Sequence, residues 1–164
     1  MPRTWTHHHF DELSWHDCAV HGMGFRTDCP EEGAWLHDLV LDIDFITEWI
    51  CGADRICSFK VAPARLVFHD VTALKIDLDW GGQYGLVTGP FDIDDITRAL
   101  IEKESGCRQP PEYAWRITTA GLVGGEITFG ASGFTQTLLC EPIEIDRQDI
   151  PYNQRQELLR HTSG

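Results

Sequence analysis

The chain is poor in cations and scatters those it has. Lys and Arg number 13 against 26 Asp and Glu, a formal net charge of −13, and no two Lys or Arg are adjacent. Nucleic-acid binding needs clustered cations that displace counterions from phosphates, so no nucleic-acid partner is expected. Nor is there a stretch near the roughly 20 apolar residues that a membrane-crossing helix requires. Residues 1–17 contain three consecutive His and no apolar run, which matches neither a secretory signal nor a transit peptide. We therefore expect a cytoplasmic protein with no membrane partner. The six Cys form no CxxC pair, so zinc-ribbon and thioredoxin spacings are absent, and without an export signal most of them read as reduced thiols. No repeat of 20 to 50 residues recurs.

What the chain does have is alternation. In residues 39 to 45, Leu39, Leu41, Ile43 and Phe45 fall on one face, with Asp42 and Asp44 on the other. Residues 74 to 80 repeat this, with Leu74, Ile76, Leu78 and Trp80 inward and Lys75, Asp77 and Asp79 toward water. Such a period of two is the mark of a half-buried strand. Further strands are expected at 17–27, 56–62, 65–69, 113–119, 125–130 and 133–139, rich in Val, Ile, Thr, Phe and Trp. Strands 17–27 and 35–46 read as a hairpin, with a bulge at Gly22 where the apolar set changes phase. Ala62-Pro63-Ala64 is expected to separate two strands, and the glycines at 130 and 133 to make a hairpin turn. One helix is expected from Asp94 to Ser105, because Ile96, Ala99, Leu100 and Lys103 recur at spacings of three and four. The fold class is mainly β (α+β): a curved antiparallel sheet or two-layer β-sandwich with one long helix. Residues 1–150 form a single domain and 151–164 a polar tail, either a short docked helix or a frayed end.

His-Asp occurs three times, at His16-Asp17, His37-Asp38 and His69-Asp70. Imidazole and carboxylate together suit a divalent metal such as Zn²⁺, Mn²⁺ or Fe²⁺, so a site built on His16, Asp17, His21, His69 and Asp70 is one expectation. Neighbours in a strand point to opposite faces, so such a site has to draw on several strands. The pairs Asp42/Asp44, Asp77/Asp79 and Asp92/Asp94 resemble calcium ligands but lack the third oxygen ligand and Gly of a calcium loop; the first two read as the wet face of a sheet, where Asp42, Asp44, Asp77 and Asp79 are candidate binding residues. No nucleophile elbow or dinucleotide fingerprint is present, and no catalytic residue is assigned. Cys18, near His16 and His21, is the one thiol placed for activation. Trp15, Trp35 and Trp49 are candidate anchors of a binding surface.

The order Leu13-Ser14-Trp15-His16-Asp17-Cys18-Ala19-Val20, then Leu39-Val40-Leu41-Asp42-Ile43-Asp44, then Ala64-Arg65-Leu66-Val67-Phe68-His69-Asp70-Val71 with Leu74-Lys75-Ile76, then Gly125-Glu126-Ile127-Thr128-Phe129, resembles a group of short bacterial proteins. Some similar proteins are grouped with immunity proteins of polymorphic toxin systems. The resemblance spans residues 13 to 140 and implies a mostly β domain that binds a partner, with no catalytic residues carried over. Taken with the charge, the expected function is a non-catalytic, immunity-like protein-binding module that takes a basic partner. A metal-binding protein or metal-dependent hydrolase, and a homodimer formed through strand edges, are the competing expectations.

Overall fold

Alternating apolar residues condense into ten antiparallel strands in the computed structural model, which describes residues 3–27, 31, 37–53, 57–82, 85–87, 89–102 and 112–161. They are β1 (Thr4–Thr6), β2 (Ala19–Thr27), β3 (His37–Cys51), β4 (Cys57–His69), β5 (Thr72–Trp80), β6 (Phe91–Leu100), β7 (Tyr113–Ala120), β8 (Val123–Ala131), β9 (Gly133–Leu138) and β10 (Ile143–Ile145). A 3-10 turn spans His7–Glu12, and the helix α1 spans Tyr152–His161. Trp35, Cys29, Cys107, Lys103, Gly106 and the loop at 109–111 lie outside the described residues.

Strand order is β1-β9-β4-β3-β2-β6-β7-β8-β5, with β10 also pairing β4. The organising feature is a bent ribbon. His69 pairs with Gly133, and Thr72 pairs with Gly130, so one antiparallel register continues from β4/β9 into β5/β8. At the bend, Asp70 takes a φ of 59° and the Ser132 N–H donates to the His69 carbonyl at 3.0 Å. The glycines at 130 and 133 therefore flank a corner between two halves of the sheet. They do not make the expected hairpin turn, because β9 pairs with β1 and β4 and not with β8.

Folding at this corner sets the two halves face to face. Trp115 of β7 lies 5.1 Å from Phe68 of β4 and 5.8 Å from Phe134 of β9, ring centre to ring centre. Leu39, Leu41, Ile43 and Phe45 all point into this core, as their alternation requires. The bulge at Gly22 is present as a register shift between Val20 and Gly22.

Several expectations are corrected. The residues expected as a helix from Asp94 are strand as far as Leu100. The spacing of Ile96, Ala99 and Leu100 marks no buried stripe, since Ile96 is buried while Ala99 and Leu100 are exposed on the strand; a bulge between Ile93 and Asp95 further interrupts the period of two by setting buried Ile93 and Ile96 three apart. Pro63 does not interrupt β4. Its carbonyl accepts the Leu139 N–H at 2.8 Å, so its ring nitrogen faces Leu139 just past the end of β9, and the one bond that proline cannot donate falls at the end of the β4/β9 ladder. Ile76 and Trp80, expected inside, are 44% and 58% exposed because β5 is the last strand of the sheet. Asp44, expected on the wet face, is fully buried beneath the segment that leads into α1. Although most of the cysteines are expected as thiols, Cys51 and Cys57 are register partners at one end of the β3/β4 pair and form a disulfide.

Candidate functional site

Two regions gather chemistry-bearing side chains. The first is a cleft of about 590 Å³ at the bend, lined by His7, His8, Arg26, Asp38, His69 and Asp70 together with Ser132 and Thr135. Its geometry follows from strand register. Arg26 is opposite Asp38 in the β2/β3 pair and forms an ion pair with it. The Leu39–Phe68 pairing sets Asp38 beside His69, whose Nδ1 lies 3.4 Å from Asp38 Oδ2. On the other side of the ring, His69 Nε2 is 2.8 Å from Thr135 Oγ1. Carboxylate, imidazole and hydroxyl thus stand in series, an arrangement that can orient a ring and pass a proton. Asp70 turns away from that series and accepts the Ser132 hydroxyl at 2.6 Å. His7 closes the cleft against Gly133, where a Cβ would come 2.6 Å from its Nδ1. Partial burial, with His8 beside it, pushes the His7 imidazole below its ordinary value, which favours the neutral ring.

The second region is an acidic tip at the far end of β6. Asp17, held at a φ of 61°, donates its N–H to the Ile93 carbonyl at 2.9 Å, and Gln148 Nε2 donates to its carboxylate at 2.9 Å. Partial burial, then the carboxylates of Asp17 and Asp149, push the Asp92 carboxyl above its usual range. Beside Asp92 a groove of about 260 Å³ runs between Phe91 and Leu122. Trp80 packs edge-on against Phe91 at 5.8 Å and leaves 58% of its surface open. His16 borders the tip. Its Nδ1 contacts the Asp94 carbonyl at 2.9 Å, and that contact raises its pKa.

The residues singled out in the sequence are therefore dispersed. His16 and Asp17 belong to the tip, and His69 and Asp70 to the bend. His21 hydrogen-bonds Asp44 at 2.9 Å beneath the chain entering α1. Asp42 meets Arg155, and Asp77 and Asp79 lie on the exposed face of β5. Among the described residues, no three His, Cys, Asp or Glu side chains converge on a point where they could hold a metal ion. Cys18 is fully buried and its thiol is pushed up to about 12 by that burial, so it is not an activated nucleophile. Trp15 is also buried, where its indole N–H donates to Gln136 at 2.6 Å, so it cannot anchor a partner. Trp49 remains 48% exposed. Sequence reading missed Arg26, Thr135 and Trp80. It passed over Asp38 as well, although His37-Asp38 marks the position. Comparison with protein-family models, curated proteins and solved structures returns no match.

Proposed function

We propose that the protein is a non-catalytic, immunity-like binding module that uses the acidic tip to receive a basic protein partner. The observation that carries this reading is the grouping of Asp17, Asp92 and Asp149 beside an apolar groove and an exposed tryptophan. Asp149 is paired with Arg147 at 2.8 Å and Asp17 accepts the Gln148 amide, so the carboxylate left beside like charge is Asp92, and a cation from outside favours its ionised form. Leu122 and Trp80, both at least half exposed, supply apolar area to receive the stem of a Lys or Arg, and an indole face attracts its charged head. The net charge of −13 steers such a partner from a distance. The resemblance to immunity proteins points the same way. Selection from a displayed peptide library tests the reading: wild type is expected to enrich Lys- and Arg-rich sequences. The Asp17→Asn/Asp92→Asn/Asp149→Asn variant is expected to lose them. Enrichment that survives the triple change would contradict the assignment.

A second reading, hydrolysis or proton transfer at the bend, with or without a divalent ion, is supported by the series Asp38, His69, Thr135. A fluorophosphonate probe is expected to leave Thr135 unlabelled under the first reading. Labelling abolished by His69→Asn, or a stoichiometric Zn, Mn or Fe content in tag-free protein, favours the second.

A further inference from the structure

The free edge of β5 is complementary to itself. β5 ends the strand order and, among the described residues, pairs only with β8; just before it the Val71 N–H donates to the His37 carbonyl at 2.7 Å, and from Lys75 onward no described strand lies on its other edge. It is nine residues long, with a bulge at Ala73 and Leu74 where Ala73 takes a φ of 50°, and from Lys75 to Trp80 its register with β8 is regular. Its sequence is Thr72-Ala73-Leu74-Lys75-Ile76-Asp77-Leu78-Asp79-Trp80. If two copies of this strand are set antiparallel about a two-fold axis at Ile76, Lys75 of one copy faces Asp77 of the other, twice. Ile76 then faces itself, and Leu78 lies across from Leu74 where the bulge begins.

Charge within one copy adds a second observation. Asp77 is opposite Glu126 in β8, and Glu126 already pairs with Arg116, so the carboxylate of Asp77 stands beside a like charge. Lys75 is opposite Thr128 and makes no ion pair among the described residues. Like charges directly opposite in a sheet are unfavourable and unlike charges favourable, so both residues improve their surroundings when a second β5 is added. The 44% exposure of Ile76 falls on the two-fold axis, where an apolar residue meets its own copy.

We propose that the protein forms an isologous dimer by antiparallel pairing of β5 with β5 of a second copy, in the register centred on Ile76. Both sheets become one continuous sheet across the two-fold axis, and the Lys75–Asp77 contacts set the register.

Sedimentation equilibrium of charge-reversal variants tests this, with circular dichroism confirming that each is folded. Wild type is expected to dimerise at micromolar concentration and physiological salt. Lys75→Asp sets Asp against Asp twice, and Asp77→Lys sets Lys against Lys twice, so each is expected to weaken the dimer at least tenfold. Mixing the two variants is expected to give a heterodimer, and the double variant Lys75→Asp/Asp77→Lys to dimerise as wild type does. A wild type that stays monomeric at millimolar concentration overturns the proposal. A dimer indifferent to both single reversals overturns the register and the edge together.

Discussion

Arg155 of α1 and Asp44 of β3 form a buried ion pair, Nε to Oδ1 at 2.8 Å, and the same guanidinium reaches Asp42 Oδ1 at 2.8 Å through Nη2. Asp44 also accepts the Ile150 N–H at 2.8 Å and meets His21 at 2.9 Å. One carboxylate in the outer side of the sheet therefore fixes the path of the C-terminal segment. Arg155→Met leaves Asp44 buried without its cation. We expect a loss of about 3 kcal/mol in urea unfolding, the range for breaking one partner out of a buried pair. A loss below about 0.5 kcal/mol would show that solvent or His21 replaces the guanidinium.

The pH dependence of stability follows from the same carboxylate. Burial alone pushes the Asp44 carboxyl upward, but the contacts from His21, the Ile150 N–H and Arg155 together outweigh it, and the net direction is down. A carboxylate whose folded pKa lies below its unfolded value stabilises the fold above the unfolded value, about 3.9. That contribution is lost as pH falls through the folded value. Wild type should lose stability on acidification in this window, and Asp44→Asn should show a flatter profile there. Parallel profiles for the two proteins would contradict the assignment.

Adjacent glycines of β8 should respond differently to the same change. Gly125 has a φ of 145°, and a Cβ there would run into the carbonyl oxygen of Asp77 on β5. Nothing lies within 4 Å of a Cβ at Gly124. Gly125→Ala should cost at least about 2 kcal/mol by combining strain with displacement of β5, and Gly124→Ala should stay within about 0.5 kcal/mol. Thermal melting distinguishes them.

Thiol chemistry gives a third contrast. The Cys51–Cys57 bond closes a loop with a sequence separation of 6, for which chain entropy gives about 2 kcal/mol. Reduction, or Cys51→Ser with Cys57→Ser, should lower stability by about that amount. In the oxidised native protein, alkylation should reach half-buried Cys140 long before buried Cys18.

Strand content was legible because alternation is imposed by backbone geometry and needs no tertiary knowledge. Leu39 to Phe45 show this without exception. β6 was not legible as a strand, since Ile96, Ala99 and Leu100 recur at helical spacings although Ala99 and Leu100 are exposed, and the bulge that sets Ile93 and Ile96 three apart breaks the alternation that would have marked it. Asp44 was misread for another reason: alternation tells which face a side chain takes, but a later segment covered that face. At the bend, His69-Asp70 could be marked from the sequence, whereas its partners Asp38 and Arg26 depend on the register of β2, β3 and β4. Trp80 was assigned to the core because nothing in its own strand reveals that β5 ends the sheet.

The central claim is that carboxylates at the tip receive a basic partner, and affinity capture from the organism that encodes the protein tests it most directly. Immobilised wild type and the Asp17→Asn/Asp92→Asn/Asp149→Asn variant are exposed to the same lysate at low salt, and the retained proteins are identified. The account predicts a basic protein held by wild type, released by added salt and absent from the variant. Retention of the same proteins by both, or of no basic protein by wild type, would contradict it.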